Sequence, residues 1–117
     1  MSAPKLPSLP VEPLLKRSPA IAGGVPEGLD ALLLGELARH AREGGVVLHV
    51  ARDANRLATL EEAVPFFAPD VQVLSFPAWD GVPYDRVAPN AETIAKRIAT
   101  LAALIDRPQG AKRPLVV

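Results

Sequence analysis

Cysteine is missing from the 117-residue chain, which excludes disulfide staples, thiolate metal sites and thiol catalysis. Histidine is scarce too, with His40 and His49 the two in the sequence. Neither has a Ser or second His at a spacing that a catalytic or metal centre uses, so no catalytic residue and no metal site is assigned. His40 reads as a cation near a helix C-terminus, and His49 as a structural residue in a strand. Charge of one sign is not in excess: Lys and Arg number 13, as do Asp and Glu. A zero balance supplies no global field to draw the chain onto nucleic acid or an anionic membrane. The local basic groups, Lys96-Arg97 and Arg107 with Lys112 and Arg113, read as a solvated face, the alternative being a face toward phosphates. Long apolar runs are absent, none approaching the ~18 residues of a membrane span, and residues 1–20 lack the apolar core of a signal peptide. A cytoplasmic protein without a membrane partner is the expectation.

What the chain does have is proline, 13 residues, and an apolar fraction of 49%. Its length allows one domain at most, able to bury roughly two-thirds of its unfolded surface. Residues 1–19 read as a proline-rich arm carrying Pro4, Pro7, Pro10, Pro13 and Pro19, extended except for one helical turn near Leu14 and Leu15, which dock on the body. Residues 20–117 read as an α/β domain. Ala20–Gly23 is predicted as a short buried strand. A helix follows from Glu27 to Arg42, with Leu29, Leu32, Leu33, Leu37 and Ala41 on its apolar stripe, and Gly44-Gly45 ends it. Val46–Ala51, nearly continuously apolar, predicts a strand covered on both faces. Asp53 caps a helix with Leu57, Leu60 and Val64 on one stripe and Pro65 at its limit. Val71–Phe76 is a third strand. Asn90 caps a further helix, with Ile94, Ile98, Leu101 and Ile105 expected to be buried, and Leu115–Val117 begins a fourth strand. Alternation of strand and helix predicts an α/β class with a mostly parallel sheet. The chain stops inside an apolar strand, which suggests a fragment of a longer polypeptide.

Gly23-Gly24-Val25-Pro26-Glu27-Gly28 has the spacing of a Walker A phosphate loop between a strand and a helix. A working loop continues with Lys and then Ser or Thr, to neutralise phosphate and hold magnesium; here Leu29 and Asp30 stand instead. Leu29 carries no charge, and the Asp30 carboxylate repels a triphosphate by several kcal/mol at ~4 Å and intermediate dielectric. Glu27 adds to the repulsion and Pro26 removes an amide donor. The loop is therefore read as degenerate, a strand-to-helix turn without a bound cofactor. A dinucleotide site built on Gly23, Gly24, Gly28 and Asp53 fails on spacing, and Asp53 is better explained as a helix cap.

Aromatic residues amount to 4% of the chain, and their placement is informative. Trp79 and Tyr84, each the sole residue of its type, lie in a proline-studded segment rather than in a periodic core stretch. Trp79, Tyr84, Asp85 and Arg86 share a loop at the C-terminal end of a strand, the edge where α/β sheets place function. Two readings stand: the rings pack the loop onto this or a neighbouring domain, with Asp80 or Asp85 pairing Arg86, or they form a partner-contact or autoinhibitory surface.

Phe76, Pro77, Trp79, Asp80, Pro83, Tyr84, Asp85, Pro89, Arg97, Thr100, Leu101 and Leu104 together form a gapless pattern. It resembles a block near the start of the bacterial transcription-repair coupling factors (Mfd), and Ala88 replaces the usual Ser. A related block occurs in the excision nuclease subunit UvrB. The resemblance implies the first part of an N-terminal UvrB-like module, with an incomplete three-layer P-loop/Rossmann-like fold and no active nucleotide site. It implies a parent that is an ATP-dependent DNA translocase, displacing stalled RNA polymerase from double-stranded DNA and recruiting UvrA. ATP and magnesium would serve a distant motor whose motifs do not occur in these residues. The fragment itself would be a scaffold contacting neighbouring domains of the same chain. The alternatives are a functional P-loop ATPase domain of UvrB or helicase type, which needs Lys and Ser or Thr at positions 29 and 30, and an unrelated Rossmann-like small-molecule enzyme, which needs a catalytic residue not found here.

Overall fold

The starts of the two longest described helices are set by side chains that satisfy orphan amides. In the computed structural model, which describes residues 9–42, 45–79, 88–107 and 113–117, the elements run α1 Glu12–Leu15, α2 Leu29–His40, β1 Val47–Leu48, α3 Ala54–Phe67, β2 Val71–Leu74, α4 Ala91–Ile105 and β3 Arg113–Val116. Asp53 precedes α3 in an extended conformation and its Oδ1 accepts from Arg56 N at 2.9 Å. Asn90 does the same for α4 by accepting from Glu92 N at 2.9 Å. These are the N-cap geometries that Asp and Asn favour.

The three strands form one sheet in the order β1-β3-β2. Both pairings are parallel, Val47 opposite Leu115 and Val73 opposite Leu115 fixing the register. The pairing continues past β2, because Val117 N donates to Leu74 O at 2.9 Å and Phe76 N donates to Val117 O at 2.8 Å. The core lies between this sheet and α2 with α3. Ala31, Leu34 and Ala38 of α2 meet Leu60 and Val64 of α3, together with Ala68, Val71 and Val117. Gly35 lets α2 approach closely, since a Cβ there would sit 2.7 Å from the Ala68 Cβ. Arg39 ties α2 to the turn that follows α3: its Nη2 is 2.7 Å from Asp70 Oδ1, while its Nη1, 2.8 Å from Glu36 Oε1, pairs within α2. The Asp70 bond is the largest cause holding its guanidinium above the ordinary pKa.

Several sequence expectations are corrected. Ala20–Gly23 forms no strand, and Ile21 is 95% exposed; an apolar tetrapeptide without a pairing partner has nothing to hold it extended. The stripe of α2 is rotated in part: Leu32 is buried as expected, but small residues at 31, 35 and 38 face α3 and the sheet, while Leu29 and Leu33 lie at the margin. Pro65 does not end α3, which runs two residues further to Phe67. In the Val46–Ala51 run, Val47 and Leu48 alone pair as strand, and burial alternates instead of covering both faces. Leu48 and Val50 are exposed. Most of the stripe expected to bury α4 is exposed as well: Ile94 is half-buried, but Ile98, Leu101 and Ile105 face solvent, Ile105 at 86%. Instead α4 turns Arg97 and Thr100 inward, with Thr100 buried.

The Asp53 cap carries a pH signature. Its bond from Arg56 N, and next that from the Arg52 side chain, hold the carboxyl below the usual carboxylate value. A depressed folded pKa stabilises above the unfolded value, and the contribution is lost as pH falls through the folded one. Asp53→Ala is therefore expected to lower the thermal midpoint at neutral pH, with the deficit shrinking to nothing in acid. Equal midpoints for the two proteins at neutral pH would contradict the cap.

Candidate functional site

The segment read as a degenerate phosphate loop is now placed. Gly24 and Gly28 take positive φ values of 73° and 94°, which only glycine adopts without strain, and α2 begins directly after Gly28. No strand leads into it. Gly28, as the N-cap residue, has no side chain to offer, and Asp30 takes over that work. Its Oδ1 accepts from Gly28 N at 3.1 Å and from Ala31 N at 2.9 Å. Its Oδ2 accepts from Arg56 Nη2 of α3, whose Nη1 lies 3.7 Å from Glu27 Oε1. The Arg56 side chain is 18% exposed. A carboxylate of the chain itself thus sits on the amides at the start of α2, neutralised by a half-buried guanidinium. Leu29 contributes no polar group and is partly exposed.

Arg56 escaped the sequence reading. A signal was present: a cation in the first turn of a helix opposes the macrodipole, and such a mismatch calls for a specific anion nearby.

The second constellation lies past the C-terminal end of β2. There α4 docks through two polar side chains. Thr100 Oγ1 donates to Ser75 O, and Arg97 Nη1 donates to Pro77 O at 2.7 Å. The Arg97 guanidinium carbon lies 3.9 Å from the Phe76 ring centroid and 4.3 Å from that of Trp79, within cation–π reach of both. Trp79 remains 52% exposed. Arg97 was expected on a solvated face; the two rings and the Pro77 carbonyl give it a structural position instead. Its neighbour Lys96 does face solvent, 3.1 Å from Glu92 Oε1, a hydrogen bond that raises its pKa. Of the residues grouped with Trp79, Tyr84, Asp85 and Arg86 lie outside the described residues, as do Asp80 and Lys112. His40 Nδ1 sits 2.8 Å from Glu36 O and His49 is half-buried. Among the described residues no group of three or more His, Asp or Glu is placed to hold a metal ion, and no helix is long and apolar enough to cross a membrane.

Over 64 residues the chain is 33% identical to the transcription-repair-coupling factor of Rickettsia prowazekii. The resemblance is to the transcription-repair-coupling factors. That of Rickettsia bellii is 34% identical over 58 residues. The two matches cover 55% and 50% of this chain. They cover 6% and 5% of the transcription-repair-coupling factors themselves, so the chain spans a small part of these relatives. No protein-family model matches the chain, and no solved structure does.

Proposed function

We propose that this chain is an N-terminal, UvrB-like scaffold segment of a transcription-repair coupling factor, with the three-layer α/β fold of P-loop or Rossmann type and a phosphate loop that no longer takes nucleotide. The observation that carries the loop reading is the Asp30 carboxylate on the Gly28 and Ala31 amides, with Arg56 as counter-ion. A nucleotide phosphate needs those helix-start donors, and it would meet a negative charge already seated there. The parent in this reading is an ATP-dependent DNA translocase that displaces stalled RNA polymerase and recruits UvrA in the cytoplasm. Its ATP and magnesium belong to a motor outside these residues. This segment supports its neighbours by packing, and half-exposed Trp79 is its contact to an adjacent domain of the same polypeptide.

Titration with a fluorescent ATP analogue and magnesium is expected to give no saturable signal. Magnesium-dependent binding in the micromolar range would overturn the loop reading.

A further inference from the structure

Resting on the reading of Trp79 as an interdomain contact, we propose that Arg97 is its positioning residue, fixing the indole in a single orientation before any partner arrives. Trp79 follows a segment with no helix or strand of its own from Ser75 onward, and half of its surface is open. Left to itself, such a side chain loses rotamer freedom on binding, which weakens association; a ring held in advance has already lost it. Arg97 is suited to the task because it acts on ring and backbone together. It stacks near Trp79 and Phe76, and its Nη1 grips Pro77 O, two residues before the indole. Since Arg97 emanates from the second turn of α4, the loop is referenced to a rigid element rather than to other loop atoms. Lysine would keep the charge but not the planar fork that stacks and donates at the same time.

Trp79 is the sole tryptophan, so its fluorescence reports this side chain alone. In Arg97→Met the slow-rotating component of the tryptophan anisotropy decay is expected to be lost, acrylamide quenching to rise and emission to shift to longer wavelength. Arg97→Lys is expected to fall between the variant and the unaltered protein, and it supplies the measurement should Arg97→Met fail to fold. Thr100→Val, which removes the other link between α4 and the segment, serves as the control for loosened docking. It is expected to lower the unfolding midpoint while leaving the anisotropy unchanged. If Arg97→Met and Arg97→Lys keep the original decay, or if Thr100→Val changes it equally, Arg97 does not position the ring. The interdomain reading is judged separately, by comparing quenching of Trp79 in this chain with that in a longer coupling-factor polypeptide containing it. Equal quenching there would end that reading without touching the role of Arg97.

Discussion

Arg56→Met is expected to destabilise the protein by about 1.5–3 kcal/mol, the range for hydrogen bonds to charged groups. The guanidinium is largely shielded, and it is the one described partner of Asp30 that carries positive charge. Removing it leaves the carboxylate facing Glu27 across the same turn, with the helix amides alone to hold it. Asp30→Ala is expected to cost a similar amount by freeing two amides and leaving Arg56 with the more distant Glu27 carboxylate. Because the two residues act on each other, the double variant should lose clearly less than the sum, a coupling in the range seen for contacting pairs. Denaturant unfolding of the four proteins measures it. Strict additivity would mean that the pair is a surface accident.

Leu60→Ala is expected to have the largest effect of any single change, about 2–5 kcal/mol. Leu60 is 1% exposed and central to the cluster that joins α2, α3 and the sheet. The loss combines the transfer of the deleted carbons with the void left behind, which α2 cannot fill because Gly35 already brings it against Ala68. Marginal stability of about 5–15 kcal/mol is normal for a domain, so the variant is expected to populate unfolded chain at moderate temperature. A midpoint shift worth under ~1 kcal/mol in urea would show that α3 is not anchored through this residue.

What could be read from sequence was mostly local chemistry. Asp53 and Asn90 announced the starts of α3 and α4, and Leu60 and Val64 announced the inward stripe of α3, because capping and helical period act over a few residues. What failed depended on distant partners. Val46–Ala51 is apolar enough for a strand covered on both sides, yet coverage depends on what packs over it, and Leu48 and Val50 meet solvent. For α2 the ranking by hydrophobicity found Leu32, which is buried, but also Leu29 and Leu33, whereas the closest approach is made by Ala31, Gly35 and Ala38. In α4 the isoleucines looked like the core side, and the docked residues turned out to be Arg97 and Thr100. Arginine is usually solvated, so stacking on two rings leaves no periodic trace. For the loop before α2, the missing Lys and hydroxyl were legible at positions 29 and 30; the occupation of the amides by Asp30 required knowing that α3 brings Arg56 alongside.

An anion tethered within two residues of the donors it engages is never diluted away. Free phosphate must compete against it at an effective local concentration set by the chain, whatever the metabolite pool supplies. On the proposed loop reading, the start of α2 keeps one shape whether ATP is plentiful or scarce.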